Sequence, residues 1–369
     1  MRKHISDSPS ISIDQHVQNK ITSLGQSLKQ RHAVYLDMCF WILLRDAFQK
    51  GTNSNENRLL NLLREKTKSG LVFCPISEYT FFELMKQSDP TTRSATASLI
   101  DELSLGVTLF SEQILQYYEI RHYFYKLLGD SQLLPIEELV WCKLSYVFGI
   151  LHPSQTPFDK ATELTIQKSF FDYMWNISLK KLIEQIDDKE LNPIDFKELA
   201  TLLNEGINSH KSDIKSYRQA YKAEIRGAVE KPSEFFPEIL QQCTADNGMN
   251  SLQFNPSKQK ELTTIFRNAM VIGLEKGKAQ EQLRTIHIKA SLHASLRWNK
   301  GQKLDSNDLF DFQHATSALA YCNTFFTEKP LCTMIKQNHL ELDKLYECFV
   351  TASLEEAIEI IESLNSTTQ

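Results

Sequence analysis

The sequence predicts an α/β fold: a doubly wound parallel sheet of about five strands with helices on both faces, plus a large all-helical insertion. Three observations predict it. Short apolar runs alternate with helix-periodic stretches from residue 31 to 112, the alternation resumes from 301 to 369, and hardly a strand signal occurs between 113 and 300. Residues 1–30 read as a polar segment followed by a helix. The expected organisation is therefore 1–30, a first half of the α/β domain over 31–112, the helical insertion over 113–300 and the second half over 301–369.

Each element has its own signal. The first dozen residues are polar and Ser-rich, which predicts fraying, and a helix is expected from about Asp14 to Lys29. "AVYLDMCFWI" (33–42) reads as a buried strand, leucines at helical spacing follow over 54–67, and "GLVFCPI" (70–76) reads as a second strand. Ser77 is placed to cap the helix "EYTFFELMKQ"; a helix from Thr92 to Leu103 and a third strand "GVTLF" (106–110) come next. Within the insertion, "EQILQYYEIRHYFYKLL", "ELVWCKLSYVFGIL" and "KSFFDYMWNISLKKLIEQI" read as helices. The alternation then resumes with a helix from Asp308 to Tyr321, the strand "TFFT" (324–327), a helix over Leu331 to Asn338, the strand "YECFVT" (346–351) and a closing helix from Ser353.

Composition narrows the function classes. Hydrophobic residues at 41% and charged residues at 24% suit a globular chain with a sizeable core. The opening segment lacks the apolar centre of a signal peptide, and no window reaches the roughly 18 apolar residues that span a bilayer, so no membrane is expected and a cytoplasmic location is. Seven scattered cysteines without a C-x-x-C pair favour reduced thiols over a disulfide framework or a zinc site. A net charge of −5 excludes coating of nucleic acid by bulk electrostatics, so any such site is local or screened by metal ions.

The acids carry the chemistry. A buried carboxylate without a partner costs several kcal/mol, and Asp37 lies inside an apolar run, so it is expected where the first strand ends, beside something positive. Glu83 sits within "TFFELM", either as part of a site or as an exposed helix acid pairing with Lys86 or Gln87. Asp308 and Asp311 share a face in the first turn of a helix, as ligands or simply as acids favoured by the helix dipole. The small residues Ala315, Ser317, Ala318 and Ala320 would let that helix approach the sheet and bring its acidic end near Asp37, and Glu328 follows the "TFFT" strand. Acids gathered in this way repel one another unless hard cations fill the pocket, which suits Mg²⁺ or Mn²⁺; the metal is the partner that Asp37 lacks.

Cations are less decisive. Arg284, Lys289, Arg297, Lys300 and Lys303 lead into the acidic motif and are candidates for holding a nucleic-acid backbone. Lys211, Lys215, Arg218, Lys222 and Arg226 form a basic stripe beside Ile214, Tyr217, Tyr221 and Ile225, either tracking a phosphate backbone or forming a solvated face. His314, one turn beyond Asp311, is open to substrate contact or to packing.

"VYLDMCFWI", "PISEYTFFELMK" and "NDLFDFQHATSALAYCNTFFTEKPL" resemble the motifs of the PIN-domain ribonucleases over roughly residues 31–112 and 281–351. That resemblance implies a PIN-like twisted parallel sheet between helices and a Mg²⁺- or Mn²⁺-dependent endoribonuclease that hydrolyses single-stranded or looped RNA, of the toxin-like or defence type. It makes Asp37, Glu83, Asp308 and Asp311 the catalytic ligands, with Glu328 a more peripheral metal ligand. Cys39 stands where the family often has Asn, and Glu328 where Asp is usual. A non-catalytic RNA-binding or scaffolding protein and a structure-dependent DNA nuclease are the alternatives. The partners expected are an RNA substrate and, left open, an inhibitory or complex-forming protein and a second copy of the chain.

Overall fold

The first strand is shorter than the apolar run suggests. β1 spans His32–Leu36, and the helix Met38–Lys50 follows at once. Asp37 makes the change of direction: its backbone N–H still donates to the Phe326 carbonyl at 3.0 Å, while its carboxylate accepts the Met38 amide at 2.6 Å. Residues 38–42 are therefore helical, not strand. Met38, Trp41 and Leu44 are buried at helical spacing, a pattern that a short apolar run does not separate from that of a buried strand.

The structure is a computed structural model that describes residues 11–51, 54–129, 133–186, 195–209, 213–246, 255–299 and 303–365. Its further strands are β2 (Val72–Phe73), β3 (Val107–Leu109), β4 (Trp141–Lys143), β5 (Thr324–Phe326) and β6 (Phe349–Thr351). A four-stranded parallel sheet runs β2-β1-β5-β6, with Ala33 opposite Phe73, Leu36 opposite Phe326 and Phe326 opposite Thr351. This is one parallel strand fewer than expected. β3 leaves the sheet and pairs antiparallel with β4, joined to the region of β2 by a bridge between Ile76 and Thr108.

β4 also corrects the all-helical insertion. "ELVWCKLSYVFGIL" is not a helix: short 3₁₀ turns at Ile136–Glu138 and Leu144–Tyr146 flank the strand. Trp141 gives the physical reason, since its ring meets Phe73 edge-on at 5.2 Å and a strand places it there. The other secondary-structure elements described in this segment are helices, from Glu112–Leu127 to Arg284–Trp298.

Helices cover both faces of the sheet. Ala33, Tyr35, Phe73 and Phe325 point into a core shared with the helices Ile13–Leu28, Arg284–Trp298 and Ser306–Tyr321. Val34, Leu36, Val72 and Phe326 point the other way, against Met38–Lys50, Asn55–Lys68, Pro90–Ser104 and the closing helix Leu354–Ser363. A third apolar cluster, including Phe124, Tyr221, Phe236 and Phe266, holds the central helices to one another. Ala315 and Ala318 are fully buried, so the small-residue helix does lie close on the sheet. All seven cysteines are free thiols. Among the described residues no helix is long and apolar enough to cross a membrane.

Candidate metal centre

The carboxyl ends of β1 and β5 meet the helices Glu78–Lys86 and Ser306–Tyr321 at one point. Asp37, 4% exposed, is fixed from two sides, by the Met38 amide and by the Thr327 hydroxyl, which donates to Oδ2 at 2.7 Å. The thiol of Cys39 is not among the groups that bond this carboxylate. Glu83 rides on the helix Glu78–Lys86, which Ser77 and Thr80 close at its start by a capping box. From the helix Ser306–Tyr321, His314 reaches both: its Nε2 is 2.6 Å from Glu83 Oε2 and 3.9 Å from Asp37 Oδ1.

A buried polar chain fixes the imidazole. The Tyr35 hydroxyl meets His314 Nδ1 at 2.7 Å, Ser77 Oγ at 2.7 Å and Thr80 Oγ1 at 3.0 Å. Because a carboxylate only accepts, Nε2 carries the proton in its bond to Glu83. Burial works against the imidazolium, but Tyr35, Asp37 and Glu83 outweigh it and hold the His314 pKa well above the ordinary histidine value. One ligand atom from each of Asp37, Glu83 and His314 lies within 4.8 Å of the others, a group that could hold a metal ion.

Asp311 belongs to the same field. Burial, together with the charges of Asp37, Glu328 and Glu83, pushes its carboxyl up to about 8, with His314 pulling the other way. The same acids face Cys39, whose thiol is raised first by burial and then by Asp37, Glu328 and Asp311. Glu328 itself is exposed, at the start of the helix Lys329–Ile335. Asp37 and Glu83 are the carboxylates of the group that could hold a metal ion, and Asp311 lies within reach of their charge. His314 Nε2 is already engaged with Glu83, which makes its first role that of positioning.

The remaining candidates lie elsewhere. Asp308 serves the helix start: its Oδ2 accepts the Asp305 amide at 2.8 Å in a capping box. Arg284 sits at the opposite end of the sheet, donating to the Ala320 carbonyl at 2.9 Å and to Glu137 at 2.9 Å. Lys289 pairs with Glu112 at 2.9 Å and Arg297 with Glu224 at 2.5 Å. Lys303 is exposed, while Lys300 and Lys211 fall outside the described residues. In the basic stripe, Lys222 and Arg226 reach Glu275 at 2.9 and 3.6 Å, while Lys215 and Arg218 are exposed. That favours the solvated face over a phosphate track.

Sequence reasoning missed Tyr35, Thr80 and Thr327 as site residues and left His314 undecided. Strand alternation carried a signal for Tyr35, since residues two apart point to the same side and Tyr35 stands two before Asp37. Helix spacing carried one for His314, three after Asp311. Comparison with protein-family models, with curated proteins and with solved structures returned no match.

Proposed function

We propose that the chain is a Mg²⁺- or Mn²⁺-dependent endoribonuclease whose catalytic acids are Asp37, Glu83 and Asp311, with Glu328 at the rim. The observation that carries this reading is the convergence of those acids at the carboxyl ends of parallel strands, crowded enough to push the Asp311 carboxyl up to about 8. The resemblance of the motifs around Asp37, Glu83 and Asp311 to those of PIN-domain ribonucleases supports the choice of reaction and of RNA. A divalent cation held there would activate water and offset charge on the scissile phosphate.

The chain's own part is positional. Thr327 and the Met38 amide leave Asp37 one orientation, with both oxygens partnered and lone pairs still facing the cluster. His314 pins Glu83, and Tyr35 pins His314, so three elements are tied together before substrate arrives. The buried imidazolium also offsets part of the negative charge among the acids.

The test is cleavage of labelled single-stranded RNA with Mg²⁺ or Mn²⁺, beside EDTA and the Asp37→Asn and Asp311→Asn variants with native circular dichroism. Cleavage that needs metal and disappears in both variants supports the reading. Activity surviving in both would remove these acids from the mechanism, and no cleavage by the parent chain would leave a scaffolding role.

A further inference from the structure

We propose that Phe148 and Phe82, with the cavity beside them, form a stacking subsite for an unpaired base of the strand cut at the acidic centre; this rests on the nuclease reading above. Phe148 is 51% exposed, unusual for so large an apolar ring. Its ring is not loose. It lies 5.0 Å from Phe82 at an interplanar angle of 30°, and 5.0 Å from the buried Phe81 edge-on at 88°. Phe81 and Phe82 thus set its plane and leave part of its surface open.

Placement ties this platform to the chemistry. Tyr79, Phe82 and Glu83 stand three and four apart on the helix Glu78–Lys86 and so share a flank. Glu83 is the residue His314 holds in the acidic centre, and Tyr79 meets Phe82 edge-on at 6.2 Å. The platform therefore begins within one helical turn of a proposed metal ligand.

A cavity of about 380 Å³ opens beside Phe148 and Tyr79, within the size range of small-molecule sites. Gln113 and Gln116 line it; Gln116 donates to Glu112 at 2.8 Å, and its amide oxygen and the exposed Gln113 amide remain for a base edge. Lys231, exposed on its wall, supplies positive charge for the flanking phosphate. The acids on its wall are already engaged: Glu112 is paired with Lys289, and Glu78 accepts the Glu112 amide at 2.8 Å. Open aromatic faces beside amides and lysines are how unpaired strands are held, whereas a duplex keeps its base faces covered.

The experiment compares the parent chain with Phe148→Ala, Phe148→Leu and Phe148→Trp on a short single-stranded RNA, with an abasic site moved along it. The proposal expects Phe148→Ala and Phe148→Leu to raise KM by roughly five- to a hundredfold, the effect of losing one stacked base, and more than they lower kcat. Phe148→Trp should restore KM. One abasic position should penalise the parent chain and leave Phe148→Ala unaffected. If the parent chain cleaves and the folded Phe148→Ala and Phe148→Leu variants keep its KM and its abasic profile, the subsite is overturned while the nuclease stands. If the parent chain does not cleave RNA, the nuclease reading falls and the subsite with it.

Discussion

At the amino ends of the parallel strands each acid has donors or a cation of its own; at the carboxyl ends the acids crowd one another. Glu119 is fully buried, yet it accepts the Thr285 amide, the Thr285 hydroxyl and the Tyr321 hydroxyl, so that it caps the helix Arg284–Trp298 from a neighbouring helix. Beside it Glu137 pairs with Arg284 at 2.9 Å and Glu138 with Lys29 at 3.3 Å. Asp37 and Glu83 instead share one buried imidazole, that of His314, and their charges and that of Glu328 all press on Asp311. The first group is finished by protein atoms alone. The second retains a surplus of oxygen donors that a cation would complete, and that surplus separates a site from a structural network.

The comparison can be broken in four places. The largest effect is expected for Asp37→Asn, which should cut metal-dependent RNA cleavage roughly a thousandfold or more, the several kcal/mol that a metal ion contributes. Single-turnover rates would read this directly. A loss below tenfold would separate Asp37 from the chemistry.

At the other end, the prediction concerns pH. Burial raises the Glu119 carboxyl from 4.5 to about 7, so the folded chain holds a proton that the unfolded chain releases. The stability tied to that proton is fully present below about 4.5 and is lost as pH rises through about 7. Glu119→Gln should flatten this slope by about 3 kcal/mol across the window, measured by urea unfolding at several pH values. Glu119→Ala should destabilise by about 2–4 kcal/mol because it strands buried donors.

Asp311→Asn should act with the opposite sign. Relieving a buried carboxylate of three like charges is expected to stabilise the metal-free protein by about 1–2 kcal/mol, even as cleavage disappears. Equal destabilisation at Glu119 and Asp311 would erase the distinction between the two ends. The smallest effect is expected for Arg284→Ala: about 1 kcal/mol of stability from the lost Glu137 and Ala320 contacts, and an unchanged KM for RNA.

The sequence pattern carried the alternation of β1, β2, β5 and β6 with helices, the small-residue helix and the acids at Asp37, Glu83 and Asp311. What it could not separate shares one physical cause. "MCFWI" and "LVWCKL" bury apolar side chains in either secondary structure, and only a neighbour decides: Asp37 capping the first into helix, β3 and Phe73 drawing the second into a strand. Hydrogen-bond partners were equally hidden. Tyr35, Ser77, Thr80 and His314 come from three separated segments, and Arg284 looks close to the acidic motif in sequence while lying at the far end of the sheet.

The most direct test of the central claim is a calorimetric Mn²⁺ titration of three folded proteins: the parent chain, Asp311→Asn and Glu119→Gln. The account predicts saturable binding to the parent chain and to Glu119→Gln, and its loss in Asp311→Asn. No binding to the parent chain, or equal binding to all three, would contradict a metal centre at the carboxyl ends of the strands.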